Sequence, residues 1–351
     1  MSMRIPDPSA LSARLAKVDN VDPALLRFLL DPRSFDADVE AVTLIESHMS
    51  LVFLVDHRAY KVKKPIAVEG LDLRSLEARQ VNCEREIALN RVLSPDVYLG
   101  LEAVTRDPDG RLRLGGSGQA IEWLVVMRRL DEARLLDHAI ISDTVGRANI
   151  EELIAVLAPF YAKPLDNAPA PDEILAGWSQ MLERTARALR TAEYGLPRNL
   201  VEEVLPALAR FLEKHGDLIV ARVDAGWIRE CHGDLRPQHV YLGHPLRLID
   251  RLEHDDRLRR RDPFEEIMDL GLECERLGAG WILPMLLDGL SACLGSRPDA
   301  RLLGFYGGMH TSLRARFAIE HVGGARGSTR QWREHANACL LLARKCVCSQ
   351  S

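Results

Sequence analysis

The stretch His232-Gly233-Asp234-Leu235-Arg236-Pro237-Gln238-His239-Val240, followed ten residues on by Leu248-Ile249-Asp250, decides how this chain is read. Gly233 and Pro237 punctuate it as a loop, and the apolar residues that follow read as two short strands. It carries two carboxylates, Asp234 in the loop and Asp250 at a strand end, where a rigid scaffold aims polar groups outward. Phosphoryl transfer needs two such groups. One orients the attacking hydroxyl and accepts its proton, and the other holds the magnesium that neutralises the phosphates.

Working outward, the chain changes character on either side of this loop. Leu51 to Val55 and Ala59 to Lys63 are β-rich runs joined by Asp56-His57-Arg58, the pattern of a hairpin. Leu71 to Leu93 lacks Gly and Pro once past Leu71 and fills with Leu, Glu, Arg and Ala, which predicts one long helix ending before Ser94-Pro95-Asp96. A further strand pair is broken by the turn Asp107-Pro108-Asp109-Gly110 and ends in the apolar run Ile121 to Met127. Beyond Leu130 the apolar residues recur at three- and four-residue spacing, so most of the second half is predicted helical. The organisation expected is an N-terminal helical extension over 1–42, a β-rich lobe with one long helix over 43–127, and a helical lobe over 128–351 that carries the loop. This is an α+β arrangement of two lobes with a cleft between them.

His232-Gly233-Asp234-Leu235 with Ile249-Asp250 downstream resembles the catalytic and metal-binding motifs of the aminoglycoside phosphotransferase family, which has the protein-kinase-like fold. The resemblance implies that Asp234 is the catalytic carboxylate and Asp250 the metal ligand. Ala59-Tyr60-Lys61-Val62-Lys63 is similar to the strand bearing the family's phosphate-binding lysine. Strand alternation puts Lys61 and Lys63 on one face and Lys64 on the other, and the resemblance selects Lys63. Cys83-Glu84-Arg85-Glu86 resembles the helix supplying the lysine's partner, which implies that role for Glu86. Asp262-Pro263 and Asp269-Leu270 extend the likeness, which covers roughly residues 43 to 320, and Asp269 is expected to brace the catalytic loop. The implied activity is transfer of phosphate from ATP, with Mg²⁺ or Mn²⁺, to a hydroxyl of a small molecule.

Two departures qualify that implication. Kinase-like enzymes place an asparagine five residues after the catalytic aspartate as a second metal ligand, and here the residue is His239, a softer ligand that prefers transition metals. No glycine-rich element precedes Val52-Phe53, so phosphate contacts are expected from backbone N–H groups and Ser50. These departures motivate an alternative, a nucleotide-binding regulator that keeps the fold without turnover. Similar bacterial proteins are often fused to a P-loop domain, and no G-x-x-x-x-G-K-[ST] occurs here.

Composition narrows the partners. The 351 residues carry 46 Lys+Arg against 51 Asp+Glu, a net charge of -5 that offers no pull toward nucleic acid or an anionic membrane. Seven scattered cysteines without a C-x-x-C pair fit neither a disulfide framework nor a zinc ribbon, and a reducing cytoplasm is expected. The N-terminal prolines and charges do not read as a signal peptide, and no apolar run reaches membrane-spanning length. His232, His239, His244 and His254 match no zinc spacing, and Arg257-Leu258-Arg259-Arg260-Arg261 reads as a solvated charged face.

Overall fold

The structure is a computed structural model and describes residues 3–4, 21–35, 39–68, 70–320 and 329–348. The chain forms two compact units, Met1–Arg134 with Arg247–Asp256, and Leu135–Leu246 with Arg257–Ser351. Val21, Leu25, Leu26 and Leu29 pack into the core of the first unit, and the segment Arg247–Asp256, which bears Asp250, belongs to it.

The first unit is built on an antiparallel seven-stranded sheet: β1 (Met3–Arg4), β2 (Val42–Glu46), β3 (Ser50–Val55), β4 (Arg58–Lys63), β7 (Tyr98–Arg106), β8 (Leu112–Leu114) and β9 (Gln119–Arg128), in spatial order β1-β2-β3-β4-β9-β7-β8. The short hairpin β5 (Ala67–Val68) and β6 (Leu71–Asp72) precedes the long helix. Period-two alternation divides the sheet's side chains. Leu51, Phe53, Val55, Tyr60, Val62, Leu124 and Val126 share one face, where they meet Leu25, Leu26 and Leu29 of α1 (Pro23–Leu30). The other face carries Val125 and meets Cys83 and Ile87 of α2 (Leu76–Asn90). Lys61 lies opposite Val52 and Val125 in register, which puts it on this second face.

The predicted long helix begins later than its composition indicates, because Ser75 caps it by accepting from the Ala78 amide while Leu71 and Asp72 pair as a strand. Its buried stripe is largely polar: Arg79, Asn82, Glu86 and Asn90 recur at helical spacing beside Cys83 and Ile87. Arg79 grips Glu122 of β9 through Nε at 2.9 and 3.0 Å and donates to the carbonyls of Leu73 and Arg74.

The second unit is mainly helical: α3 (Leu136–Ile141), α4 (Arg147–Tyr161), α5 (Pro171–Leu189), α6 (Arg198–His215) and α7 (Asp217–Asp224) lead into strands β10 (Arg229–Glu230) and β11 (Val240–Tyr241). After β12 (Arg247–Leu248) of the first unit come β13 (Arg260–Arg261), α8 (Pro263–Arg276), α9 (Ile282–Leu294), α10 (Ala300–Glu320) and α11 (Thr329–Cys348). Helix α10 packs along α11 and against α8, whose residues 263–274 are all buried. The arginine run is not a solvated face. Strand β13 pairs with β10, which buries Arg259 against Glu230 at 2.6 Å and sets Arg261 3.2 Å from Glu265. All seven cysteines are free thiols, five of them buried. Among the described residues no helix is long and apolar enough to cross a membrane.

The Arg79–Glu122 pair anchors α2 to the sheet, so Arg79→Ala leaves a buried carboxylate uncompensated. The expected loss in urea unfolding is about 3–5 kcal/mol. Arg79→Met combined with Glu122→Leu should restore most of it, and a double variant as unstable as the single would show that the pair is not the anchor.

Candidate active site

In the first unit, the side chains on the α2 face of β4 form an ionic cluster. Lys61 Nζ lies 2.8 Å from Glu86 Oε1 and 2.7 Å from Asp250 Oδ1. Lys63 Nζ contacts Glu86 Oε2 and lies 2.7 Å from Glu253 Oε1. Glu86 has no exposure at all, yet each of its oxygens faces a different ammonium. Burial by itself would push both ammonium groups down. For Lys61 the charges of Asp250, Glu86 and Glu253 outweigh it and hold the group well above the usual lysine range. Burial likewise pushes Glu253 up, but Lys63 and Lys61 bring it below the ordinary carboxylate value. Lys64 points elsewhere, to Glu46 at 2.6 Å and the Ser47 carbonyl at 2.9 Å.

Asp250 is held by its backbone. Its amide donates to Tyr98 Oη at 2.9 Å, Asn90 Oδ1 accepts from the Arg251 amide at 2.7 Å, and Ser94 Oγ donates to the Leu248 carbonyl at 2.6 Å. Asp250 itself sits at φ 59°, a left-handed conformation that a non-glycine residue keeps only when its surroundings impose it. Its side chain is 45% exposed, the only member of the cluster that solvent reaches freely.

The second unit carries the loop. Gly233 has φ 93°, open to glycine alone among common residues, and this turn presents two consecutive amides to one carboxylate. Glu266 of α8 accepts from His232 N at 3.0 Å and Gly233 N at 2.6 Å, and Tyr161 Oη donates to it at 2.6 Å. Glu266 thus braces the loop, the part expected of Asp269. Asp269, one turn further along α8, instead accepts from Arg314 at 2.6 and 3.2 Å, and the same guanidinium reaches Asp234 Oδ1 at 3.0 Å. His239 Nδ1 lies 2.7 Å from the Asp234 carbonyl. A carbonyl only accepts, so Nδ1 carries a proton. Burial pushes Asp234 up, but the charges of His239, Arg314 and Arg236 bring it below the ordinary value, so it stands ionised at neutral pH.

The residues picked from sequence therefore fall into two groups. Lys63, Glu86 and Asp250 belong to the first, where Glu86 meets Lys63 and also Lys61, which bridges Glu86 and Asp250. Asp234 and His239 belong to the second. Ser50 opens β3 only 3% exposed, with its amide donated to Ser47 Oγ at 2.9 Å. Ser47 and His48 are the exposed residues of that turn. Glu253, Glu266 and Arg314 were missed. Arg314 lies 80 residues from Asp234 in sequence, and no local pattern ties the two together.

Among the described residues no three His, Cys, Asp or Glu side chains converge as a ready-made metal cage. A hard cation such as Mg²⁺ is commonly held by one or two carboxylates with water and substrate phosphates completing its shell. Asp250, exposed and anionic, has the donor chemistry for it.

Asp269 offers a pH test. Burial pushes it up, but Arg314 and His310 overcome this and hold it at about 2, below its ordinary 3.8. Its stabilising contribution, about 2 kcal/mol, is present above pH 4 and lost as pH falls toward 2. The stability gap between the wild type and Asp269→Asn should therefore be full at pH 6 and narrow below pH 4 in urea titrations. A gap independent of pH would contradict the pairing.

No protein-family model matches the chain. Over 283 residues it is 28% identical to uncharacterized proteins of Mycobacterium tuberculosis and Mycobacterium bovis, an alignment covering 80% of this chain and 55% of theirs. The chain thus spans about half the length of these curated relatives. Among solved structures, a choline kinase from Cryptosporidium parvum superposes with a TM-score of 0.54 at 10% identity, covering 98% of this chain and 97% of that one. A Plasmodium vivax ethanolamine kinase gives 0.52 at 11% identity, with 97% and 95% covered. A GDP complex of a mutant aminoglycoside 2'-phosphotransferase-IIIa gives 0.53 at 15% identity, with 92% and 97% covered. At such identities the likeness is one of fold: the chain has the protein-kinase-like fold of the aminoglycoside phosphotransferases and the choline and ethanolamine kinases.

Proposed function

We propose that the chain is an ATP-dependent phosphotransferase acting on a hydroxyl group of a small molecule. The observation that carries this reading is Lys61 held between Glu86 and Asp250, at 2.8 and 2.7 Å. A lysine oriented by a buried glutamate and placed beside an exposed aspartate is the equipment that kinase-like enzymes bring to nucleotide phosphates and their metal. The relatives of like fold include a GDP complex and kinases of choline and ethanolamine, which favours a nucleotide and a small hydroxyl acceptor here as well.

In this reading Asp250 holds the divalent cation, and when bound that cation neutralises charge on the transferring phosphate. Lys61 orients the phosphates. Lys63 is 2% exposed and clasped by Glu86 and Glu253, so meeting a ligand would break a buried pair, and its role is to keep Glu86 in place. Asp234, ionised under its neighbours' positive charge, accepts a hydrogen bond from the acceptor hydroxyl and takes its proton as the nucleophile attacks. Glu266 fixes the backbone from which Asp234 projects. The regulator alternative draws on His239, whose Nδ1 is spent on the Asp234 carbonyl where kinases use a metal-ligating amide.

Phosphate transfer to a panel of hydroxyl acceptors, with single turnovers followed under Mg²⁺ and Mn²⁺, decides between the two. Asp234→Asn should lower transfer by ~10²–10⁴-fold while leaving nucleotide affinity nearly intact. Lys61→Met should weaken nucleotide binding, whereas Lys63→Met should chiefly lower the melting temperature. His239→Asn, which supplies a hard oxygen, should raise the preference for Mg²⁺. Nucleotide binding without transfer in any condition would favour the regulator.

A further inference from the structure

The cluster around Glu86 holds more charge than one lysine–glutamate pair requires. It contains two ammonium groups, Lys61 and Lys63, and three carboxylates, Glu86, Glu253 and Asp250. Four of the five are shielded: side-chain exposure is 12% for Lys61, 3% for Lys63, 0% for Glu86 and 8% for Glu253, against 45% for Asp250. The one carboxylate open to solvent is thus the one where Lys61 already sits.

The two lysines are not equivalent. Lys63 lies between two buried carboxylates, and moving it would strand charge in the interior at the heavy cost of an unpaired buried ion. Lys61 spans a buried carboxylate and an exposed one. If Lys61 swings away, Glu86 keeps an ammonium partner, Lys63 at its other oxygen, which it then shares with Glu253. The second lysine thus lowers the cost of the departure of Lys61, because no buried carboxylate is left without an ammonium contact.

We propose that Lys61 is an exchangeable resident of Asp250 that a divalent cation displaces, and that Lys63 with Glu253 is the fixed positioning pair that permits the exchange. The proposal rests on the reading of Asp250 as the metal carboxylate. A dication arriving at Asp250 repels the ammonium 2.7 Å away, and the released charge is then available to a phosphate. Metal and lysine therefore compete for Asp250 without nucleotide and cooperate once phosphate is present.

Mn²⁺ binding to the full chain, followed by electron paramagnetic resonance in the absence of nucleotide, tests this. Lys61→Met should bind Mn²⁺ about tenfold more tightly than the wild type, the order expected for removing one competing charge at a partly exposed carboxylate. Affinity in Lys61→Met equal to or weaker than wild type, with Asp250→Asn still abolishing binding, overturns the competition and leaves the metal assignment standing. Mn²⁺ binding unaffected by Asp250→Asn overturns the metal assignment itself. A measurement on the wild type guards against a misfolded variant: in ¹⁵N spectra of the lysine ammonium groups, Mg²⁺ should shift Lys61 and leave Lys63 in place. Both signals moving together, or neither moving as Mg²⁺ binds, contradicts the division between the two lysines.

Discussion

A carboxylate with no solvent exposure is the constraint from which the first unit's site follows. Glu86 lies on the buried stripe of α2 and cannot remain ionised there without counter-charge. The alternation of β4 provides two lysines on the facing side, and Glu86 accepts both. Each lysine then draws in one carboxylate from the segment 247–256: Asp250 for Lys61 and Glu253 for Lys63. That segment is further stitched down by Ser94, Asn90 and Tyr98, so Asp250 is presented in a left-handed conformation by backbone hydrogen bonds. The strand, the helix and the returning segment are thus fixed by a chain of mutual charge satisfaction. The apolar contacts of Cys83, Ile87, Tyr98 and Val125 pack around it.

The second unit solves a related problem with backbone groups. Consecutive amides at His232 and Gly233 would be costly if buried unpaired, and Glu266 satisfies both. Arg314 then ties Asp234 to Asp269, and two carboxylates sharing one guanidinium keep the loop charged yet paired. Burial opposes ionisation of Asp234 and Asp269 alike, and in both the neighbouring cations prevail. A carboxylate that is ionised and only part-buried is suited to receive a proton from a bound hydroxyl.

Much of this was legible in the chain. The hairpin at 51–63, the turn at 107–110 and the loop around Asp234 follow from alternation, glycine and proline, and Lys61 and Lys63 were confined to one strand face by period two. Alternation cannot choose between residues two apart on the same face; only the resemblance selects Lys63, and nothing local reveals Glu253 as a further partner of it. Glu266 and Asp269 lie one helical turn apart on a helix buried all round, so spacing alone does not say which meets the loop. Arg259 and Arg261 read as solvated because β10 is only two residues long, too short for a periodic signal, yet it supplies the pairing that buries Arg259 and partly buries Arg261. Long-range ion pairs such as Arg314 with Asp234 leave no trace in composition or period.

The central claim is that the Lys61, Glu86 and Asp250 cluster is a nucleotide-phosphate and metal site. Calorimetric titration of the wild-type chain with ATP and with GTP, with and without Mg²⁺, tests it most directly. The account predicts saturable one-to-one binding of a nucleotide that strengthens when the divalent cation is present. Absence of saturable binding of either nucleotide, under Mg²⁺ or Mn²⁺, would contradict it.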